Sequence, residues 1–429
     1  MSTRWPRTRA AAGSVAVGAL LLVSGALTGR ADVAVLGAAP LVAGVWDWRR
    51  RPAADVSVRL AASSGVPTPG QIESVVEVGA PDDVPGVLVG VRRGGRELGE
   101  VLVAVRGTRR LPLLVRTVRT GLQEVATVDA QGIGAGAASV SVPTRPVARE
   151  TVVLPARRAL GALPLPPRLR GLTGAHESRR PGEGGGLRDV HPFTPGDRLR
   201  RVDWRVTARR APDLRELYVR REHALAEAVV VLVLDSRDDV GPDPLTWRGS
   251  NPPRAQDPTS LDLARGAAAS VAEAFLGQGD RVGLDDLGVR RRPLPPGGGR
   301  RQLDRIRHAL AVTQPQGEPA VRLRAPRLPS GALVAVFSTF LDDEAALAAA
   351  QWRHLGHRVL AVDVLPTLHV RHLGDRERIA VRLISLARED RLADLADRDV
   401  EVVTWRDAPE VALATLARGA RRRAGAGAR

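Results

Sequence analysis

The sequence predicts a multidomain protein with an N-terminal transmembrane helical hairpin, a small β-sandwich-like domain and a C-terminal α/β domain. Three observations along the 429 residues predict this order. An uncharged apolar run lies near the N-terminus, short β-type runs separated by turn residues follow it, and strands alternate with helical segments in the C-terminal half. A chain of this length is also long enough for about two or three domains.

Residues 1–51 are predicted to form a membrane hairpin. Residues 10–29 carry no charge, and a helix of that length spans ~30 Å, which is the thickness of the hydrocarbon core. A second apolar stretch, residues 31–48, is interrupted by Pro40. Arginines flank both outer ends, so the positive-inside rule predicts two spans in the plasma membrane, with both termini and the soluble domains in the cytoplasm. A cleaved signal peptide over residues 1–30 is the alternative.

Residues 52–155 are predicted to form a β-rich domain. The runs QIESVVEV and GVLVGVRR alternate between apolar and polar residues, as half-buried strands do. Gly94 and Gly95 lie between two such runs and predict a hairpin. The domain contains no histidine or tryptophan, so it is interpreted either as scaffold or as a partner-binding module. Residues 156–190, which are rich in Pro, Gly and Arg, are predicted to be a linker.

Residues 228–423 are predicted to form the α/β domain. The continuous apolar run AVVVLVLD at 228–235 is typical of a strand buried on both faces of a sheet. Helical and strand-like segments then alternate to the end of the chain, which favours a parallel sheet with helices on both faces. Residues 424–429 are predicted to be a flexible tail.

The composition excludes several kinds of chemistry. The absence of cysteine excludes disulfides and thiolate catalysis, and the absence of lysine excludes a Walker A loop and lysine Schiff bases. All 64 basic residues are arginines, and the net charge is +17, a pattern that a GC-rich genome also produces. Such a surface favours anionic lipid or nucleic acid. With one Tyr and four Phe the chain has few aromatic stacking platforms, so nucleic acid is not expected as a partner.

The segment between linker and α/β domain, residues 191–227, is called the belt. Its first part contains the densest run of charge in the chain, with six arginines between residues 198 and 210. Pro195, Gly196 and Asp197 predict a tight turn, because proline fixes φ and glycine tolerates the strained position.

The rest of the charged run centres on Asp203 and Trp204. Asp203 has arginines on both sides, so local charge-assisted pairs are expected. Trp204 is expected to be a buried anchor, with Arg205 or Arg209 stacking on it or pairing nearby. Two interpretations stay open: the arginines form an anion-binding or partner-binding site, or a self-satisfied network pins the segment to the next domain.

The run LRDVHPFTPGDRLRRVDWRVTARR at 187–210 resembles the signature of bacterial proteins that carry the "domain of unknown function 58". One departure is His191 and Phe193, which stand where a tyrosine is common. The resemblance implies a von Willebrand factor A-like version of the α/β fold. It also implies work alongside MoxR-type AAA+ ATPases and other membrane or envelope proteins. The positions that match the signature, and are candidate partner-binding residues, are Arg188, Pro195, Gly196, Asp197, Arg200, Arg201, Asp203, Trp204, Arg205, Thr207 and Arg209.

The von Willebrand factor A-like fold often binds Mg²⁺ at the carboxyl end of its first strand, through a loop that reads Asp-x-Ser-x-Ser. Here the loop at 235–239 reads DSRDD, and Ser338 and Thr339 stand where another aspartate is common, with the acidic pair 342–343 shortly after. The degenerate metal-loop positions are Asp235, Arg237, Asp239 and Thr339.

Arg237 is expected to fill the space of the cation and to pair with Asp235 or Asp239. We therefore expect no metal ion and no other cofactor, with Mg²⁺ as the disfavoured alternative. The leading hypothesis is a membrane-anchored, non-enzymatic interaction or scaffold protein. The alternatives are a Mg²⁺-dependent adhesion-type binding domain, and an uncharacterised hydrolase that uses the aspartates of residues 235–239. For the hydrolase, no nucleophile–base pair is visible in the sequence.

Overall fold

A computed structural model of the 429-residue chain shows a multidomain mixed α/β protein with two compact units. Unit 1 comprises Met1–Thr117 and Leu122–Val153, and unit 2 comprises Val118–Gly121 and Leu154–Arg429. The structure describes residues 5–50, 52, 54–63, 70–171, 174–247, 253–289, 292–315 and 326–426.

Unit 1 begins with two apolar helices, α1 (Arg9–Thr28) and α2 (Ala31–Arg49). The Thr8 hydroxyl caps α1 by accepting from the Ala11 amide at 3.2 Å. Small residues allow the two helices to approach closely, because a Cβ on Gly37 would meet the Gly18 carbonyl oxygen at 2.5 Å. Among the described residues, α1 is the one helix long and apolar enough to cross a membrane.

The residues before α1 are part of the β-rich fold. Trp5 is 5% exposed and packs in the same core as Val56 and Val58. The Thr8 amide donates to the Ala138 carbonyl at 3.1 Å, so the chain leading into α1 is fixed by backbone bonds as well. The N-terminal segment and the β-rich domain therefore form one folded unit.

Two sheets form the rest of unit 1, in the orders β1-β2-β5 and β4-β3-β6-β7. Valines from both sheets share one core, for example Val78 of β2 and Val87 of β3, each 0% exposed. Strand β2 alternates between buried and less buried positions, as its sequence pattern predicts. The strands are β1 (Ser57–Ala62), β2 (Gln71–Ala80), β3 (Gly86–Arg93), β4 (Arg96–Val103), β5 (Gly107–Arg116), β6 (Gly121–Ile133) and β7 (Val147–Val153).

Unit 2 starts with a segment that differs from the predicted linker at 156–190. Its leucines pack on the core of the α/β domain, with Leu163 7% exposed. From His176 onward the chain is a strand, β8 (His176–Pro192), paired antiparallel with β9 (Tyr218–Ala226). These residues, 176–226, form a two-stranded arm, and the belt provides its strand β9 as well as the residues between the two strands.

Glycines explain how so irregular a sequence forms a strand. A Cβ on Gly182 would lie 2.4 Å from the Ala224 Cα, so this close pairing requires glycine. The register of pairing shifts along β8, which breaks the regular backbone pairing with β9. Carboxylate side chains accept hydrogen bonds from some of the backbone amides there. Glu222 accepts from the Gly184 amide at 3.0 Å, and Glu177 accepts from the Gly186 amide at 2.7 Å.

The base of the arm joins the start of the central sheet. Asp280, which is fully buried, accepts from the Ala228 amide at 2.7 Å and lies 2.9 Å from His176 Nε2. The far end of the arm is residues 193–217, the arm tip, beyond the last pair between Pro192 and Tyr218. The nine residues of β9 place the arm tip roughly 25–30 Å from the base. The part of the belt that forms the arm tip is therefore carried away from the sheet, and is not pinned to it by a network of charges.

The central sheet has six strands in the order β12-β11-β10-β13-β14-β15. All adjacent strands are parallel except β12, which runs antiparallel to β11. Every residue of β10 is buried, as expected for a strand covered on both faces. The strands are β10 (Val229–Leu234), β11 (Arg281–Asp286), β12 (Leu294–Gly297), β13 (Leu333–Ser338), β14 (Arg358–Asp363) and β15 (Glu401–Thr404).

Helices cover both faces of this sheet, as the alternating pattern predicts. Residues of α4, α5 and α8 contribute to the core on one face, and residues of α6 and α7 contribute to the other. Helix α8 continues to Ala426, past the predicted start of the tail at 424, and residues 427–429 lie outside the described part. The helices are α4 (Ser260–Gly277), α5 (Gly299–Val312), α6 (Glu344–His354), α7 (Asp375–Asp397) and α8 (Pro409–Ala426).

Candidate functional site

The carboxyl ends of the parallel strands form one edge of the central sheet, called the carboxyl edge. Asp235 follows β10 directly, and β11, β13 and β14 end at Asp286, Ser338 and Asp363. In open α/β sheets this edge is where ligands bind, because the loops that leave it are free to vary. The degenerate metal loop therefore lies at the expected place.

Arg237 occupies the centre of the carboxyl edge, with a side chain 5% exposed. Its Nε and Nη2 donate to the two oxygens of Asp235 at 2.8 and 2.9 Å. Its Nη1 and Nη2 donate to the two oxygens of Asp342 at 2.8 and 2.9 Å, and Nη1 also donates to Glu344 at 2.9 Å. A guanidinium has five N–H donors, so these bonds use all of them. Arg237 has no donor left for a ligand.

The electrostatics hold Arg237 in its charged form. Burial would lower its pKa, but hydrogen bonds and charge from Asp235, and then from Asp342, outweigh burial and raise the pKa. The opposite situation holds at Asp238, where burial, with the charges of Asp235 and Asp342, raises the pKa of the carboxyl against the influence of Arg237. The edge therefore holds one fixed cation among an excess of carboxylates.

The residues at this edge do not fit a divalent cation. The carboxylates that would ligate it, Asp235 and Asp342, are already bridged by the Arg237 guanidinium, which would have to leave. Among the described residues no group of three or more His, Cys, Asp or Glu side chains could hold a metal ion. The Ser338 hydroxyl donates to Asp235 at 2.6 Å, so this serine too is engaged in the network.

The expected pair of Arg237 with Asp235 is present, but Asp239 is not its partner. Asp239 accepts from the Leu261 amide at 3.3 Å and lies 3.6 Å from Arg119. Thr339 uses its hydroxyl locally, accepting from the Leu341 amide at 3.4 Å. Asp342 and Glu344 take the place that the sequence assigned to Asp239. They lie more than a hundred residues away in the chain, and local spacing does not reveal such a pair.

A second buried arginine at the same edge was missed by sequence reasoning. Arg388 of α7 forms an ion pair with Asp363 at the end of β14, and its Nε donates to the Thr339 carbonyl at 2.7 Å. The side chain of Asp363 is 3% exposed, so this carboxylate requires a partner. An aspartate directly after an apolar strand was the available signal, but nothing in the sequence pointed to Arg388.

The backbone at the carboxyl edge is also strained. Phe340 has φ 53° and is fully buried, and a bulky residue rarely adopts this left-handed conformation. Arg391 donates to the Phe340 carbonyl at 2.8 Å and so helps to hold it. Strain of this kind concentrates at functional sites, where the surrounding structure must maintain it.

The arm tip contains the predicted turn. Gly196 has φ 104°, and Asp197 accepts from the Thr194 amide and hydroxyl at 2.9 and 2.8 Å. The backbone bond first, and then the hydroxyl bond, lower the pKa of the Asp197 carboxyl. Its nearest cation is Arg221 at 3.6 Å. Asp197 therefore closes the turn, and does not hold the arginines of residues 198–210 as the sequence suggested.

Asp203 acts as the N-cap of a short helix, α3 (Trp204–Arg210). It accepts from the amides of Arg205 and Val206 at 3.1 and 3.0 Å, which is the usual role of aspartate at this position. The expected pairing of Asp203 with arginine side chains is therefore replaced by a helix cap. Capping preference was the sequence signal that could have shown this.

Thr207 and Tyr218 fix α3 against the arm. Thr207 is fully buried, and its hydroxyl accepts from the Tyr218 amide at 3.0 Å. Arg210 stacks over the Tyr218 ring at 5.4 Å from its centroid. The aromatic partner of a belt arginine is therefore this tyrosine.

The prediction that Trp204 is buried is wrong, because its side chain is 63% exposed. In the described part of the chain the sheet of the arm has only two strands, and so small a sheet does not build a core that could bury an indole. Arg205 and Arg209 are exposed on the same short helix. The other signature residues also lie on the arm, where Arg188 is 3.7 Å from Asp189 and Arg201 is 3.5 Å from the Gly182 carbonyl oxygen.

Unit 2 has an α/β fold, with helices on both faces of a six-stranded mixed sheet. A two-stranded arm precedes this sheet. Residues 189–371 match the family described as "Protein of unknown function DUF58". The match covers the arm tip as well as Arg237, Asp342 and Asp363.

The chain is also similar to curated proteins. Uncharacterised proteins of Mycobacterium bovis and of two strains of Mycobacterium tuberculosis are each 30% identical over 205 residues, which is 45% of this chain. The chain spans 59% of the length of these relatives.

Proposed function

We propose that the chain is a membrane-anchored, non-enzymatic interaction protein whose α/β domain binds protein partners without a metal ion. The observation that carries this proposal is the saturation of Arg237 by Asp235, Asp342 and Glu344. Arg237 and these three carboxylates satisfy one another, which suits a fixed recognition surface. A reaction centre needs an unengaged nucleophile and base.

The arrangement of the sheet supports a von Willebrand factor A-like fold. Parallel strands in the order β11-β10-β13-β14-β15, covered by helices on both faces, place the loops after β10 and β13 side by side. Those two loops contribute Asp235 and Asp342, which a metal ion would bridge in a cation-dependent member of the fold. In this chain Arg237 bridges them.

Two spans with a cytoplasmic domain follow if α1 crosses the membrane. Trp5 before α1 and Val56 after α2 pack in one core, so both outer ends of the helix pair enter the same folded unit. A span by α1 therefore requires α2 to return. Arginines at both outer ends favour the cytoplasmic side. Cleavage of α1 as a signal peptide is disfavoured, because it would remove Trp5 from this core.

The charge at the carboxyl edge indicates the kind of partner. One guanidinium faces three carboxylates, which leaves two formal negative charges, and the side chains of Asp342 and Glu344 are 47% and 46% exposed. A basic surface would complement this edge and be steered to it. The resemblance to the DUF58 family supports a MoxR-type AAA+ ATPase as the partner, with other membrane or envelope proteins as clients.

Affinity purification of the full chain from membranes in mild detergent, followed by mass spectrometry, tests this function. We expect an AAA+ ATPase in the eluate, and its loss from the double variant Asp342→Asn and Glu344→Gln, whose amide oxygens still accept from Arg237. The control is Asp390→Asn, which removes an exposed carboxylate on α7. An eluate without any AAA+ ATPase, or equal recovery from all variants, would contradict the proposal.

A further inference from the structure

The arm tip exposes large apolar side chains at three separate positions. Leu199, Trp204 and Leu214 are 68%, 63% and 59% exposed. The backbone around them is well fixed, since the Phe193 amide donates to the Leu217 carbonyl at 2.7 Å. The tip is therefore an ordered element that leaves an indole and two leucines in water, and such exposure marks an interaction surface.

The same element carries a strong positive charge. Residues 198–210 contain six arginines and one aspartate, and that aspartate, Asp203, caps α3 through backbone amides. Arg205 and Arg209 are exposed and form no ion pair with the described residues. The net charge of this run is thus positive, and two of its guanidinium groups are available to an anionic partner.

We propose that the arm tip binds the surface of an anionic phospholipid bilayer. Tryptophan and leucine would enter the interface between headgroups and acyl chains, and Arg205 and Arg209 would contact headgroup phosphates. This inference rests on the proposed membrane anchoring, because a chain held by α1 and α2 keeps its arm near a bilayer at high effective concentration. A weak affinity of the arm tip itself for the bilayer is then sufficient for binding.

The mixture of side chains favours lipid over a protein partner. A helix-binding or peptide-binding partner site usually has a groove, and two hollows that the described residues enclose lie away from the tip, along α2 and beside β12. The tip instead combines an indole, leucines and unpaired arginines on a projecting element. Interfacial membrane-binding segments have this composition.

The test uses the full chain in lipid nanodiscs, with one reporter at the tip. Because the chain contains no cysteine, Leu199→Cys provides a unique position for an environment-sensitive fluorophore. In discs that contain phosphatidylglycerol we expect a blue shift and protection from an aqueous quencher, with neither in discs of phosphatidylcholine alone. High salt should reverse the protection, since it screens exposed charges.

Matched double variants test whether Arg205 and Arg209 contribute to lipid binding. Each arginine near an anionic surface contributes roughly a fivefold change in the ratio of bound to free tip, so Arg205→Gln with Arg209→Gln should lower that ratio roughly thirtyfold. The control is Arg300→Gln with Arg301→Gln, which removes two exposed arginines from α5. Unchanged unfolding midpoints would show that both double variants fold.

The outcomes separate this inference from the proposed function. A chain that fails to enter the discs would contradict the anchor itself. A chain that enters the discs but keeps its label in water in both lipids would overturn the inference alone. Protection that appears in neutral discs when a purified AAA+ ATPase is added, and not with anionic lipid, would also overturn it and assign the tip to a protein partner.

Discussion

The carboxyl edge and the arm tip are both rich in arginine and aspartate, yet the two regions use these residues in different ways. At the edge, Arg237 is 5% exposed and every donor of its guanidinium is bonded to a carboxylate. At the tip, Asp203 accepts from backbone amides while Arg205 and Arg209 point into solvent.

The difference comes from the number of layers around each region. The edge lies between helices on both faces of a six-stranded sheet, so an unpaired charge there would be costly. On the two-stranded arm Arg205 and Arg209 are exposed, so water solvates these two arginines and nothing forces them into pairs. Burial, and not composition, decides which charges become a closed network and which become a binding surface.

The largest expected effect is the loss of stability on replacing Arg237 with Ala. Asp235 would be left buried without its partner, and breaking a buried ion pair from one side costs about 3–5 kcal/mol. Chemical denaturation of the detergent-solubilised chain measures the change. Arg209→Ala is the matched control at the arm tip and should stay within about 0.5 kcal/mol. Similar losses from the two variants would refute the contrast between closed edge and open tip.

The second prediction concerns divalent cations. Arg237→Ser restores a hydroxyl at the loop and frees the carboxylates of Asp235 and Asp342, so Mg²⁺ should stabilise this variant. A cation at ten times its dissociation constant would add about 1.4 kcal/mol, visible as a higher melting temperature. The unmodified chain should show no shift over the same Mg²⁺ range. A shift in the unmodified chain of equal size would mean that Arg237 yields its place to the ion.

At the carboxyl edge, the sequence predicts the strands and the local ion pair, but not the partners that come from distant segments. The apolar run at 228–235 predicted a buried parallel strand, because full burial on both faces requires uninterrupted hydrophobic residues. The pair of Arg237 with Asp235 was predictable because the residues are two positions apart. Asp342, Glu344 and Arg388 reach the same edge from distant loops and helices, and their positions depend on the assembled sheet.

The arm was harder to predict, for a different reason. Its strand β8 contains proline and several glycines, which sequence rules assign to linkers. Pairing with β9 overrides that preference, since bulges and carboxylates such as Glu222 satisfy the irregular backbone. Trp204 was expected to be a buried anchor, whereas it lies on the two-stranded arm with its side chain 63% exposed.

A smaller effect distinguishes a helix cap from an ion-pair network at Asp203. Replacement by Ala should cost about 1 kcal/mol, because the amides of Arg205 and Val206 lose their acceptor. Replacement by Asn should be nearly neutral, because asparagine caps about as well as aspartate. Hydrogen exchange of the amides of α3 reports the local opening. If Asn proved as damaging as Ala, the charge of Asp203 would matter more than its oxygen.

The smallest expected effect on stability is that of Trp204→Ala. The indole is 63% exposed, so its loss should change the unfolding free energy by no more than about 0.5 kcal/mol. A buried anchor would instead cost about 3–5 kcal/mol. The same variant should weaken the response of the Leu199→Cys reporter to anionic lipid, because the indole supplies much of the apolar area at the tip. Intact stability with a weakened lipid response would identify the tip as a binding surface. A large loss of stability would instead mean that Trp204 is a buried anchor.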